Sequence, residues 1–416
     1  MTRFFFVIIL ASFQFQSAFC QGDYYLGKKK YGFIQYDSNL IHTLNSPDPL
    51  EGIYHKIDSM ILLGKGKLNI VHIGGSHIQA DVYTHLMRKQ MQSIDKDMNG
   101  GRGMIFPFRM ARTNNPRNYS VRYTGSWSYC KSTLYKRTCD LGLTAMQVST
   151  SSPKASININ PNTDSTTYYQ FNTVKIFHNN NNYDVKIRYG DHFYEGKYDE
   201  IAGATIINTI QPIDHLQLLL QEDTASSTPF VLYGISLESD DDGIVYHSIG
   251  VNGSMLKHYL KCELYEKHLA ALNPDLVIFS IGTNDGYTRS FNEDAFYERY
   301  ATLLERTLDA APQTKIMITV PNDSYLYRRY ANKNTIEIRD KVFKLAHKYN
   351  AVVWDFFTIM GGLNSSQTWY NYQLMQYDRI HFTRKGYELK GELFFSAFLK
   401  SWENRLSDSP LKSQIQ

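Results

Sequence analysis

The chain has 416 residues, 43% hydrophobic, 20% charged and 14% aromatic, which excludes both a disordered tail and a small disulfide-stapled scaffold. Its length points to two or three domains with enough chain to bury a sizeable core. Lys and Arg outnumber Asp and Glu by only 44 to 40, spread thinly, so no nucleic-acid partner is expected, because such binders gather basic charge into a stripe.

Met1-Thr2-Arg3 carries one positive charge, and Phe4 to Phe13 is mostly apolar, ending near the small residues Ala18 and Cys20. Residues 1–20 are therefore predicted to be a secretory signal peptide, with the remainder periplasmic or extracellular. Cleavage is preferred over lipid anchoring through Cys20, because bulky Phe19 stands where a lipoprotein signal prefers a small residue. No later segment offers the roughly 20 apolar residues of a membrane span, so none is expected after cleavage. Export also changes how the cysteines are read. Cys130 and Cys139, nine residues apart, can bridge in an oxidising compartment. Cys262 is expected to be a buried small hydrophobe, and three cysteines without CxxC spacing argue against structural zinc.

Further along, Leu50–Leu63 has helical spacing, Leu68–Ile73 reads as a buried strand, Gly74-Gly75-Ser76 as a tight turn, and Ala80–Met91 as a helix. From 111 to 240 the character changes: Ser, Thr and Asn make up 39 of 130 residues, between short alternating segments such as Ser156–Ile159, Val174–Phe177 and Val185–Tyr189. That pattern predicts a β-sandwich whose last strand contains Phe230–Ile235. The α/β rhythm then returns, with strands at Ile244–Ile249, Asp275–Ser280, Lys315–Val320 and Ala351–Asp355. Helices are predicted over Met255–Leu272, Glu293–Leu308 and Arg384–Trp402. The division expected is 21–110 and 241–405 as one three-layer α/β domain with a parallel sheet, 111–240 as an all-β insertion, and 406–416 as a tail.

Four strand-end segments can carry chemistry. Ser76 sits between a buried strand and a helix, at the carboxyl edge where open α/β sheets bind ligands; a plain helix N-cap is the alternative. Gly253 lies in a Gly-rich turn that can bring a backbone amide close to a ligand. Asn284 has a side-chain amide able to donate to a developing oxyanion, or to serve as an Asx-turn residue. Asp378 precedes His381 by three residues, spacing that lets the carboxylate fix the imidazole tautomer and leave the other ring nitrogen as a base.

Gly74-Gly75-Ser76, Gly253, Gly282-Thr283-Asn284-Asp285 and Asp378-Arg379-Ile380-His381 resemble, in order, the four blocks of the SGNH (GDSL-like) hydrolases. The first departs from the family pattern, which reads Gly-Asp-Ser, in having Gly75 for the acid. The resemblance implies a flavodoxin-like three-layer fold and a serine carboxylic-ester hydrolase needing no metal or organic cofactor. Ser76, His381 and Asp378 would be its triad, with the Ser76 and Gly253 amides and the Asn284 side chain as its oxyanion hole. The interrupted arrangement is also similar to exported peptidoglycan O-acetylesterases, in which a carbohydrate-binding-type module splits the hydrolase domain. An acetylated polysaccharide, foremost peptidoglycan, is then the expected substrate, with Trp127 and the Tyr/Asn-rich insertion a surface for sugar rings. A lipase-like or general acyl-ester hydrolase, or a non-catalytic glycan-binding protein on the same scaffold, are the alternatives. The sequence assigns no oligomeric state.

Overall fold

The computed structural model describes residues 30–180, 183–222 and 228–407; the expected signal peptide lies outside them. A six-stranded sheet runs in the order Ile41–Thr43, Val352–Trp354, Lys315–Thr319, Leu276–Ser280, Lys67–Gly74, Gly243–Gly250. The first strand is an antiparallel edge and the other five are parallel. Counted along the chain, those five lie in the flavodoxin-like order 2-1-3-4-5, whose switch point falls between the strands ending at Gly74 and Ser280.

Apolar residues alternate between two covered faces, as a parallel sheet requires. Ile70, Ile278 and Met317 join the core under helices Glu51–Leu63, Tyr83–Gln92 and Arg384–Ser407. Val71, Phe279 and Ile318 join the core under Tyr265–Leu272, Glu293–Ala310 and Asn334–Lys348. No helix among the described residues is long and apolar enough to cross a membrane.

Two antiparallel sheets, of five and seven strands, form the β unit between the first and second parallel strands. It is not a tethered module, because its core residues Phe177, Ile207 and Leu237 belong to the same buried cluster as Val277 and Phe279. Its seven-stranded sheet includes Gly101–Ile105, which pairs with Phe230–Glu238. That strand lies upstream of residue 111, where its Gly-Arg-Gly-Met-Ile sequence lacks the alternation that marks the others. Cys130 and Cys139 are bridged. Cys262 is buried, and burial pushes its thiol up to about 12, as suits a packing residue. Trp127 is half-buried, its indole N–H donating to the Thr124 carbonyl.

Two predicted helices are interrupted, for tertiary reasons. Met255–Leu272 divides into Leu256–Tyr259 and Tyr265–Leu272. Between them the Arg306 guanidinium takes the carbonyls of Leu260 and Cys262, and Leu264 N donates to Leu141 O. The helix expected from Ala80 begins only at Tyr83, because Asp81 turns the chain at φ 44°. Its buried carboxylate accepts from Thr84, Arg88, Arg102 and Asn118. Burial alone would raise the Asp81 pKa; the two guanidiniums outweigh it and hold the group ionised.

Candidate active site

All four segments marked in the sequence lie at or beside the carboxyl edge of the parallel sheet. Gly74 ends its strand where a side chain could not fit. A Cβ there would stand 2.4 Å from Ile78 and 2.5 Å from the Ser280 carbonyl, so glycine permits the sharp entry into helix Ser76–Gln79. Gly75, not Ser76, is the N-cap residue, and Ser76 is the first residue of that helix. The N-cap alternative for Ser76 is thereby replaced: its Oγ lies 2.8 Å from His381 Nε2.

His381 Nδ1 is 2.7 Å from Asp378 Oδ2, while the amides of Ile380 and His381 donate to Asp378 Oδ1 at 2.9 and 3.0 Å. Burial opposes the Asp378 charge. The His381 ring and these two amides overcome it and bring the carboxyl down to about 2. Arg379, at φ 53°, makes the tight turn that lets Asp378 face back onto its own loop. Behind the imidazole, the buried His77 ring packs 5.3 Å from that of His381 and is held by Tyr387 Oη at 2.9 Å. Burial, with Lys390 and His381 nearby, keeps His77 neutral.

The Val251–Ser254 turn closes the other side. Val251 N donates to Gly74 O, and Asn284 Nδ2 donates to Ser254 O at 3.0 Å, one of the two donors its amide carries. A Cβ at Gly75 would lie 3.3 Å from that same nitrogen, so Asn284 sits directly over the turn before Ser76. Asn284 thus makes a tertiary bond rather than an Asx turn. Gly253 has φ +77°, a conformation that favours glycine, with open space where a side chain would be.

Three bracing contacts carry no signal in the sequence. Gln79 Oε1 accepts from Asn252 N at 2.7 Å, Asn252 Nδ2 donates to Asn114 Oδ1 at 2.6 Å, and Tyr259 Oη donates to Gly74 O at 2.7 Å. Through Asn114 the segment just past residue 111 meets the Gly253 turn. Asp285, quoted in the third block without a role, accepts from Leu256 N at 3.1 Å. Burial pushes its carboxyl up to about 6. A native pKa above the unfolded value of about 3.9 means the folded state binds the extra proton, so stability falls as pH rises from about 4 to about 6. Asp285→Asn should therefore gain melting temperature relative to wild type between pH 5 and pH 7.5. A constant difference across that range would exclude the account.

A search of curated protein sequences finds no match. Among solved structures, one of a peptidoglycan O-acetylesterase is similar over 88% of this chain and 99% of that chain, with TM-score 0.72 and 21% identity. A lipase/acylhydrolase from Enterococcus faecalis (20% identity, 39% of this chain and 77% of that one, TM-score 0.31) is more distant. So is an acetylxylan esterase from Geobacillus stearothermophilus (20% identity, 38% and 73%, TM-score 0.31). Residues 228–389 match the GDSL-like Lipase/Acylhydrolase family, a span that takes in Gly253, Asn284, Asp378 and His381 but not Ser76. Over residues 228–389 the chain thus resembles the GDSL-like lipase/acylhydrolase family, and in overall fold it resembles the O-acetylesterase structure.

Proposed function

We propose that this hydrolase is an exported serine esterase that removes O-acetyl groups from a polysaccharide, foremost peptidoglycan. The observation that carries the reaction is the continuous Ser76–His381–Asp378 hydrogen-bond chain, with contacts of 2.8 and 2.7 Å. Ser76 Oγ attacks the acyl carbonyl while His381 Nε2 takes its proton, and Asp378 holds the imidazole in the tautomer that leaves Nε2 as acceptor. The tetrahedral oxyanion is received by the Ser76 and Gly253 amides and the second Asn284 N–H. His381 then protonates the leaving sugar alkoxide, and water enters by the same route to release acetate and regenerate Ser76. No step calls on a metal or an organic cofactor.

The substrate class is supported by the near-complete likeness in fold to a peptidoglycan O-acetylesterase, β unit included. Export is supported by the Cys130–Cys139 bridge, a feature of oxidising compartments. Acetate release from O-acetylated peptidoglycan, compared with acetylated xylan, tests the reading. Preference for peptidoglycan by wild type with loss in Ser76→Ala supports it; preference for long-chain acyl esters would favour the lipase-like alternative. Asn284→Ala should lower kcat by about 10²–10³, the cost of one oxyanion donor, with KM little changed. A change confined to KM would remove Asn284 from the oxyanion site.

A further inference from the structure

Beside the triad loop lies a surface that the reaction itself does not use. The short hairpin of Tyr325–Leu326 and Tyr330–Ala331 packs against the Asp378–His381 loop, with Tyr325 N donating to Arg379 O. Across it, arginines and tyrosines pair face to face. Arg379 stands 4.9 Å from the Tyr325 ring centre, Arg328 5.3 Å from Tyr377, and Arg289 5.2 Å from Tyr327. Arg379 Nη1 donates to the Arg328 carbonyl, joining hairpin and loop.

Two further observations bear on this patch. Arg137, Arg306, Arg339 and Arg405 elsewhere each clasp a carboxylate. Among the described residues, no Asp or Glu forms a salt bridge with Arg289, Arg328, Arg329 or Arg379, which leaves their charge uncancelled. Tyr327, Arg328 and Arg379 also all hold positive φ (52°, 61° and 53°), a conformation costly for bulky side chains that gathers at ligand-binding and switch segments. Stacking on tyrosine restrains a guanidinium without neutralising it, so its forked N–H donors stay available for a carboxylate. Tyr330 and Tyr377 are 57% and 62% exposed, and their rings suit the apolar face of a sugar.

We infer that this arginine–tyrosine surface, continuous with the triad loop, binds an acidic polysaccharide, one that bears free carboxylates at intervals along its length, on its sugars or on their substituents. The inference rests on the ester-hydrolase reading only for its purpose, which is to hold the acidic polymer while one of its acyl groups reaches Ser76. Two bound carboxylates would fix the chain's direction across the site, whereas the small acyl group alone offers little to grip.

The test is affinity electrophoresis of the full chain in gels containing polygalacturonate, neutral glucomannan or single-stranded DNA, at low salt and at about 250 mM NaCl. Polygalacturonate should retard wild type at least fivefold more strongly than glucomannan, and the excess should vanish at high salt, where exposed charges are screened within about 10 Å. The triple variant Arg289→Gln/Arg328→Gln/Arg329→Gln should lose at least three-quarters of the excess. Arg328→Glu alone should lose about half, which keeps the test valid if the triple variant folds poorly. Equal retardation by the neutral polymer, no change in either variant, or stronger retention on DNA would overturn the assignment. Hydrolysis of p-nitrophenyl acetate by wild type is followed in parallel. Salt-sensitive polygalacturonate binding without any ester turnover would sink the hydrolase reading and leave the surface standing.

Discussion

Ser76→Ala should lower kcat on small acetate esters by about 10⁴-fold or more, because it deletes the hydroxyl held against His381 Nε2. In serine hydrolases, removing the nucleophile or its base alone costs nearly as much as removing the whole triad, because they act as a unit. His381→Ala should therefore cause a loss of the same order, and the double variant should add little to either. The Ser76 Oγ contact is with His381 at the half-exposed mouth of the site, so neither change opens a core cavity. The melting temperature should stay close to wild type. Turnover within about tenfold of wild type in either variant would remove the pair from the chemistry, and additive losses would mean that they act separately.

Asp378→Asn should lower kcat by about 10⁴-fold while leaving the fold intact. The amide can keep the backbone bonds from Ile380 and His381 through its oxygen, but its NH₂ facing Nδ1 favours the tautomer that protonates Nε2, the nitrogen needed as base. The same carboxylate has a stability signature of defined sign. Its native pKa of about 2 lies below the unfolded value of about 3.9, so its contribution is complete above about pH 4 and is lost as pH falls through about 2. Wild type should thus lose more stability than Asp378→Asn over that window, measured by denaturant midpoints. A parallel decline of the two proteins would show that Asp378 is not held ionised as described.

Much of the architecture is legible because its signals are local. Runs such as Leu68–Ile73 and Asp275–Ser280 are apolar on both faces, which only a covered parallel sheet can accommodate, and the structure places both at its centre. The interrupted helices are less legible. Nothing within Met255–Leu272 announces a break, because the groups that stabilise it, Arg306 and Leu141, lie far away in sequence. Helix Asn334–Lys348 is obscure for a related reason: its polar face predominates, and its buried residues Ile338, Val342 and Leu345 gain their meaning only from the sheet they cover.

The site divides in the same way. Residue types and order along the chain, from Ser76 through Gly253 and Asn284 to Asp378 and His381, can be read from sequence because each occupies a short strand-end segment whose chemistry is set by its immediate neighbours. The gap of 177 residues between Ser76 and Gly253 hides their proximity from any local pattern. It is the pairing of Lys67–Gly74 between Leu276–Ser280 and Gly243–Gly250 that brings their ends to one edge. Folding alone likewise decided that Gln79 and Asn114 brace the Gly253 turn, and that arginines gather beside the Asp378–His381 loop with no salt bridge to them among the described residues. Such contacts join groups far apart in sequence, and their energies depend on distance and burial in space, which no run of neighbouring residues encodes.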